Sequence, residues 1–427
     1  HNTDDADHRL VLTGEGGIQI ASCKLGRDGA WTGRDRESGT VMVKPREDRI
    51  WRWAILASPI KYAHSLEAAK DEEVFRYKET LPPQVDWSPY QLNLKDHVDP
   101  RMVPQNQTAI AIAACDRPTY FHRFMSSLAK QPGIERYPIF VFLDKPEREN
   151  HVELVDEQAA LARSLFSNCV VIKRPRNFGC GRSLIDIRHQ MFDCMGYKRA
   201  FIFEDDMILS RSYLEFTTNL MNWADARYSN VGVVQGWSFC TKNNEQKRGL
   251  QNVVQATSGN WWGYLMSDRA WNSIKEELQL FQKLFLGGAY DRRPHESIRA
   301  WFRMRVNKPP ASVGTRQFKP DDLYHRSLAK YLDAPPTGQD SATMHAFAQN
   351  GWVRLCPTVN RGSYIGQEGI HMNPRMFRQH GLDGVHLYEF EDDDLITEFD
   401  PLQTLEAAVD DLVASPVAGF AYTDLTR

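Results

Sequence analysis

The sequence predicts an α/β fold: a mostly parallel sheet with helices on both faces, preceded by a small β-rich module. From Thr108 to Val234, short apolar runs alternate with longer amphipathic stretches. Such alternation is typical of right-handed strand–helix–strand crossovers, which make consecutive strands parallel. The runs themselves, such as Ile139–Leu143, are apolar throughout, as expected of strands that are buried on both faces.

Each element follows from the spacing of its apolar residues. In Tyr120–Lys130, apolar side chains at 120, 121, 124, 125 and 128 share one face of a helix. Ligands bind such sheets beyond the carboxyl ends of the strands, so the residues that follow each strand are the candidate functional residues. The predicted strands are Thr108–Cys115, Tyr137–Asp144, Val170–Lys173, Ala200–Glu204 and Val231–Val234, and the predicted helices are Tyr120–Lys130, His151–Phe166, Ser183–Met195, Tyr213–Ala226, Arg269–Phe285 and a run after Asp340.

The chain of 427 residues is long enough for several domains. Residues 1–105 contain short alternating stretches, Gly17–Ser22 and Thr40–Val43, and are predicted to form an N-terminal β-rich module that serves as a scaffold or a binding module. Residues 106–381 are predicted to hold the α/β domain, and residues 382–427 a C-terminal extension with a short amphipathic stretch, Leu402–Val413.

The composition excludes several classes of protein. Lys+Arg 52 against Asp+Glu 55 gives a net charge of -3, which lacks the basic excess of a general nucleic-acid binder. No apolar run approaches the ~20 residues that cross a bilayer, so no transmembrane span is expected, and peripheral association with a membrane stays open. The seven cysteines include no C-x-x-C pair, which argues against a zinc ribbon.

The strongest functional signal is an apolar strand that ends in three consecutive acids, Glu204-Asp205-Asp206. Burying carboxylates is costly unless they are paired or bound to a cation. Oxygen ligands suit Mg²⁺ or Mn²⁺, which proteins commonly hold with one or two carboxylates plus the phosphates of a substrate. The alternative interpretation is a solvated acidic turn, as expected for Glu391–Asp394, which follows no strand.

Other strand ends carry Asp116-Arg117 and Asp144. An Asp accepts hydrogen bonds from a base or a ribose, and Arg117 is suited to a bidentate contact with phosphate. Alternatively, Asp116 is the N-cap of the following helix. The glycine-containing turn Arg176–Ser183 leads into a helix, and its backbone N–H groups and Arg182 are candidates for a phosphate contact, although a plain turn explains it equally.

Together these elements resemble the inverting nucleotide-sugar glycosyltransferases of the GT-A fold. The resemblance covers roughly Thr108 to Gln379. It is closest to the N-acetylglucosaminyltransferase I and protein O-mannose N-acetylglucosaminyltransferase group, and it extends to bacterial family-two-like transferases of surface polysaccharides. The motifs that carry it are Ala114-Cys115-Asp116-Arg117, Phe142-Leu143-Asp144, Phe203-Glu204-Asp205-Asp206, Trp262-Gly263-Tyr264 and Arg361-Gly362-Ser363-Tyr364-Ile365-Gly366.

The resemblance implies a role for each matching residue. Cys115, Asp116, Arg117 and Asp144 would line the nucleotide pocket, with Asp144 near the base or the ribose. Asp206 would ligate the Mn²⁺ (or Mg²⁺) that bridges the donor diphosphate, and Glu204 and Asp205 would lie near the ribose and the donor sugar. His371 would lie near the diphosphate as a further metal or phosphate contact, or is an ordinary loop histidine.

The resemblance also implies a catalytic base. Members of this group carry it in an aromatic–acid pair before an Arg-Ser-Tyr-like strand, and counting back without gaps from Arg361 reaches Gln339-Asp340. Asp340 is therefore the expected base, although Gln339 departs from the aromatic residue of the pattern. Asp321-Asp322 is the competing candidate, and an N-cap is the alternative role for Asp340. Trp237, Trp261 and Trp262 are candidates for stacking on an acceptor sugar or for core packing.

The function that the resemblance implies is metal-dependent, inverting transfer of a sugar, with UDP-GlcNAc the first expected donor and a glycan or glycoconjugate hydroxyl as acceptor. Two alternatives stay open: a non-catalytic carbohydrate-binding or scaffold protein on a decayed transferase fold, and a nucleotidyltransferase. The location is open as well. The odd cysteine count favours a reducing cytoplasm, as in bacterial polysaccharide synthesis, whereas the sequon Asn106-Gln107-Thr108 would matter in a Golgi lumen, with an anchor removed.

Overall fold

The computed structural model describes residues 10–14, 17–25, 31–34, 92–99, 108–238, 249–258, 261–287, 293–306, 314–321, 324–325, 328–329, 336–369, 372–385, 387, 389 and 396–402. The chain forms two compact units: His1–Val85 with Lys283–Lys308, and Asp86–Gln282 with Pro309–Arg427. The domain boundaries predicted at 105 and 381 stay predictions.

The smaller unit contains a three-stranded antiparallel sheet in the order β1-β2-β3. Its strands are β1 (Leu10–Gly14), β2 (Gly17–Leu25) and β3 (Trp31–Arg34). The predicted strand at Gly17–Ser22 is therefore confirmed, and Thr40–Val43 lies outside the described residues.

The larger unit is built on a nine-stranded sheet in the order β14-β10-β12-β9-β11-β7-β4-β5-β6. Its first strands, β4, β5, β6 and β7, are all parallel, and β9 runs in the same direction, because antiparallel β11 separates it from β7. The strands of the sheet are β4 (Thr108–Ala114), β5 (Ile139–Leu143), β6 (Cys169–Lys173), β7 (Arg199–Glu204), β9 (Val231–Gln235), β10 (Val253–Ala256), β11 (Tyr264–Ser267), β12 (Val353–Pro357) and β14 (Asp400–Pro401), and β8 (Met207–Leu209) and β13 (Gly362–Tyr364) pair separately.

Four of the predicted helices agree with the structure to within two residues at each end. The helices of the described residues are α1 (Pro118–Leu128), α2 (Val152–Leu165), α3 (Gly179–His189), α4 (Tyr213–Arg227), α5 (Asp268–Phe285), α6 (His295–Val306), α7 (Gln339–Gln349) and α8 (Pro374–Gln379). Helix α6 belongs to the smaller unit and, like α8, was not predicted. One prediction was wrong in its start: the helix expected from Ser183 begins at Gly179, and its last predicted turns, Gln190–Cys194, form a π-helix. The stretch Leu402–Val413 lies outside the described residues, except for Leu402.

The core explains why the central strands are apolar throughout. Every residue of β5 is buried, and so are all but the first of β4. On β7, Phe201 and Phe203 point to the same face, and their rings stack at 5.8 Å. Phe124 of α1 packs against Phe203 at 5.3 Å. The predicted α/β fold is confirmed. The predicted strands do not include β8 or β10 to β14, and of these β10, β11 and β14 run antiparallel to the other strands of the nine-stranded sheet.

The strand directions bring several loops to one edge of the sheet. The carboxyl ends of β4, β5, β7 and β9 lie there, and so does the start of β11, since Tyr264 pairs with both Ile202 and Gln235. The separate two-stranded antiparallel sheet of β8 and β13 lies at the same edge, because β8 follows directly after the end of β7. Within the part of the chain that is described, no helix is both long and apolar enough to span a bilayer.

Candidate active site

The centre of this edge is a pair of buried acids that share one arginine. Asp205 and Asp206, which follow β7, are 1% and 4% exposed. Arg117, which follows β4, donates Nη2 to Asp206 Oδ2 at 2.9 Å and to Asp205 Oδ1 at shorter range. The contact follows from the sheet, because β4 and β7 are parallel neighbours. The structure thus brings together three residues that the sequence placed at separate strand ends.

The second oxygen of each carboxylate has no partner among the described residues. Asp205 Oδ2 and Asp206 Oδ1 are buried and accept no hydrogen bond within the described part of the chain. Burial raises the pKa of Asp205 to about 7, even though Arg117 acts to lower it. Buried oxygens without partners are costly, so this pair is suited to a cation or a hydrogen-bond donor supplied by a ligand.

The loop Ile365–Gly369 lies against the acids, and the sequence motif included only its first two residues. The Ile365 N–H donates to the Asp206 carbonyl at 2.8 Å, and Arg117 donates Nη1 to the Glu368 carbonyl at 3.5 Å. A Cβ on Gly366 would lie 2.7 Å from Asp206 Oδ2, so only glycine allows this approach. His371, the other predicted metal or phosphate contact, lies outside the described residues.

Glu204 and Asp340 form a second acidic group beside the first. Cys180 of α3 donates its Sγ–H to Glu204 Oε2 at 3.2 Å. The pKa of Glu204 is raised to about 8, mainly by burial and further by the charges of Asp206 and Asp340. The charge of Asp340 therefore acts on the motif at the end of β7, and the role of Asp340 as base stays a prediction.

Asp340 is not the N-cap of its helix. Helix α7 is capped by Gly338, and Asp340 lies in its first turn. Burial raises the pKa of Asp340, while Arg188 and Arg354 act to lower it. In the competing pair, the Asp321 carboxylate accepts the Tyr324 N–H at 2.7 Å, and Asp322 lies outside the described residues.

Asp144 has a different environment. Its carboxylate accepts the N–H groups of Phe178, at 2.8 and 3.0 Å, and of Gly179, at 2.8 Å. The backbone of Phe178 is in the right-handed helical conformation, and that of Gly179 has a φ of 70°. This combination points two successive N–H groups at one anion. The glycine-containing turn expected to contact a phosphate thus binds a carboxylate of the chain itself. Burial nevertheless raises the pKa of Asp144 to about 6.

The remaining predicted pocket residues flank these groups. Cys115 Sγ lies 3.8 Å from the Asp144 carbonyl. Asp116 pairs with His151 at 2.6 Å and is not a helix cap, since Arg117 precedes the first residue of α1. Arg182 is buried and donates Nη2 to the Gln282 carbonyl at 3.1 Å, so its phosphate role stays a prediction without a contact that favours it.

The three tryptophans divide between core and edge. Trp237 and Trp261 are each 2% exposed, as expected of core residues. Trp262 is half-buried, stacks on Tyr364 at 3.9 Å and meets the edge of Trp237 at 4.9 Å. Of the three, Trp262 alone has surface left for a ligand.

The donor set fits a cation only if a substrate completes the coordination. Among the described residues, no group of three or more His, Cys, Asp or Glu side chains is placed to hold a metal ion. The unpartnered oxygens of Asp205 and Asp206 fit the other common arrangement, in which one or two carboxylates hold Mg²⁺ or Mn²⁺ together with substrate phosphates.

Comparisons with known proteins give distant matches in backbone arrangement only. No protein-family model matches the chain, and no curated protein does. The chain is similar in part to residues 1–349 of TarS from S. aureus (11% identity, TM-score 0.30, covering 54% of this chain and 70% of that one). It is also similar to the mannosyltransferase PcManGT from Pyrobaculum calidifontis in complex with GDP-Man and Mn²⁺ (12% identity, TM-score 0.29, covering 69% and 81%). A complex of TarS 1–349 with UDP-GlcNAc matches at 12% identity and a TM-score of 0.29.

Proposed function

We propose that this chain is a metal-dependent glycosyltransferase that transfers a sugar from a nucleotide-sugar donor to a hydroxyl of a glycan or glycoconjugate, with inversion at the anomeric carbon. One observation carries the proposal: the Arg117-bridged pair Asp205 and Asp206 lies beside a separate, half-buried carboxylate, Asp340. The pair is suited to hold a charged diphosphate through a cation, and the separate carboxylate is suited to accept a proton.

Binding of the donor follows from the charges of the first group. Asp206, and with it Asp205, would hold Mn²⁺ or Mg²⁺ through the oxygens that have no protein partner. When bound, the metal would act as a Lewis acid that stabilises the charge of the departing nucleoside diphosphate. Arg117 is half-buried beside the same carboxylates. It would contact the diphosphate through Nη1, which donates to the Glu368 carbonyl in this structure.

Proton transfer falls to Asp340. Its carboxylate would take the proton of the acceptor hydroxyl as that oxygen forms a bond to the anomeric carbon. The bond between the anomeric carbon and the diphosphate oxygen breaks in the same step, and its electron pair leaves with the nucleoside diphosphate. A single displacement inverts the anomeric centre, and it needs no covalent nucleophile from the chain.

Replacement of Asp340 tests this assignment. Asp340→Asn should lower kcat by about 10²–10⁴-fold, because the amide cannot accept the proton, and should leave Mn²⁺-dependent UDP binding within about threefold of wild type. Initial rates of transfer and calorimetric titration measure the two quantities. The matched control is Asp321→Asn, which should retain transfer. Full activity of Asp340→Asn, or loss of activity in the control instead, would show that the base is elsewhere.

The donor is proposed as UDP-GlcNAc and is tested by hydrolysis without an acceptor. The purified chain with Mn²⁺ should slowly release a nucleoside diphosphate from one nucleotide sugar of a panel. Sugar binding without any release would favour a non-catalytic carbohydrate-binding protein. Release of pyrophosphate from a nucleoside triphosphate and a sugar phosphate would favour a nucleotidyltransferase.

A further inference from the structure

A fully buried arginine lies behind the proposed base. Arg188 of α3 is 0% exposed and donates Nε and Nη2 to Tyr264 Oη at 2.8 and 2.6 Å. Its Nη1 donates to Thr343 Oγ1 at 3.0 Å. No carboxylate of the described residues lies within 4.0 Å of it. A buried guanidinium that contacts only neutral groups is costly, so its charge calls for a functional explanation.

The hydrogen bonds of Arg188 lead directly to Asp340. Arg188 donates Nη2 to Gln339 Oε1 at 3.1 Å, and Gln339 donates Nε2 to Asp340 Oδ1. Because the guanidinium can only donate, it fixes which end of the Gln339 amide faces it. The amide nitrogen must then face the carboxylate. Thr343 Oγ1 also donates to the Gln339 carbonyl at 2.8 Å, which anchors this first turn of α7.

We propose that Arg188 is a positioning residue that orients the Asp340 carboxylate through the Gln339 amide and places a positive charge behind it for proton transfer. The proposal rests on the function proposed above for Asp340. It also accounts for Gln339, which stands where the family pattern has an aromatic residue: an aromatic side chain cannot both accept from a guanidinium and donate to a carboxylate.

Two arginines face Asp340, Arg188 on α3 and Arg354 on β12, and both favour the ionised carboxylate. Glu204 at the end of β7 is the acid that faces it, and the charge of Asp340 helps to raise the pKa of Glu204. Cys180 and Tyr264 are the other titratable neighbours. Nearby carboxylates raise the pKa of the Cys180 thiol, and burial raises that of the Tyr264 phenol, so both stay neutral. Loss of the Arg188 charge therefore raises the pKa of Asp340 and moves the acid side of the kcat profile to higher pH.

The test compares Arg188→Met, Arg188→Lys and Gln339→Leu by the pH dependence of kcat. Arg188→Met should move the acid-side midpoint of kcat up by about one unit or more and lower kcat at pH 7 by about 10–100-fold, with Mn²⁺-dependent UDP affinity within about twofold of wild type. Arg188→Lys should retain the wild-type midpoint in large part, because it keeps the charge. Gln339→Leu should lower kcat with a smaller shift, since the charge remains but the link is broken.

The control is Arg361→Met. Arg361 is another 0% exposed arginine that donates to the backbone carbonyls of Val359 and Gln251. Its loss should lower the melting temperature without moving the midpoint. An unchanged midpoint and kcat in Arg188→Met, or in Gln339→Leu if the arginine variants fail to fold, would overturn the proposal. Full activity of Asp340→Asn would instead refute the proposed base. This outcome differs from failure of the positioning role, which the Arg188 and Gln339 variants test.

Discussion

Two carboxylate sites follow β5 and β7, the strands on either side of β4, and differ in what satisfies them. After β5, every Asp144 oxygen accepts a backbone N–H, from Phe178 or from Gly179. After β7, Asp205 and Asp206 each use one oxygen on Arg117 and leave the other buried without a partner in the described chain. An acid that follows a strand in this fold can therefore either stabilise a neighbouring loop or stay available to a ligand.

The difference teaches how to recognise a ligand site among buried acids. Backbone donors fully satisfy Asp144, so it stabilises the loop that begins α3 and leaves little for a ligand to add. The Asp205–Asp206 pair lacks such donors, and its burial is costly until something binds. The comparison predicts that variants after β7 lose binding, whereas variants after β5 lose stability.

The largest effect is expected at Asp206. Asp206→Asn should abolish Mn²⁺-dependent UDP binding and lower kcat by at least about 10²–10³-fold, because the charge that holds the metal is lost. Arg117 keeps its bond to Asp205, so the melting temperature should stay close to wild type. Calorimetry and thermal unfolding measure the two effects. Normal UDP binding in this variant would contradict the prediction that variants after β7 lose binding.

A smaller effect is expected from added bulk beside the acid pair. In Gly366→Ala the new Cβ would lie 2.7 Å from Asp206 Oδ2 and 2.5 Å from Tyr364 Oη. Since one of these groups must move, kcat and the Mn²⁺-dependent affinity for UDP should fall about tenfold. Gly369→Ala is the matched control in the same loop, where the Cβ would meet Arg117 at an ordinary 3.6 Å. Equal effects of the two variants would argue against a demand for space at Asp206.

The smallest effect on binding is expected at Asp144. Asp144→Asn places an amide N–H₂ against backbone donors and should lower the free energy of unfolding by about 1–3 kcal/mol. The affinity for UDP should change only a few-fold, because the carboxylate already has protein partners. Urea unfolding and calorimetry test this. If stability is unchanged and UDP binding is lost, Asp144 contacts the nucleotide, as the family resemblance implied.

The sequence predicted the central sheet well, because strands buried on both faces are apolar without interruption. Ile139–Leu143 is such a strand and was located to within two residues. The start of α3 could not be predicted, since Gly179 and Gly181 are poor helix formers and the N–H groups that begin the helix bind Asp144 instead. Strand β11 has only 4 residues, too few for a period to show.

The site was predictable in its members but not in its pairings. Parallel strands place Arg117 and the acids after β7 at one edge, so their convergence follows from topology. That Arg117 bridges Asp205 and Asp206 depends on side-chain geometry. Arg188 is 151 positions from Gln339 in the sequence and one more from Asp340. A link between residues so far apart cannot be predicted from a local sequence pattern.

Titration of UDP into the wild-type chain, once with Mn²⁺ and once with EDTA, tests the central claim most directly. A cation held by the acid pair and the diphosphate should make UDP bind at least about tenfold more tightly with Mn²⁺, a difference of about 1.4 kcal/mol. Equal affinities in the two titrations would contradict a metal-bridged diphosphate at Asp205 and Asp206.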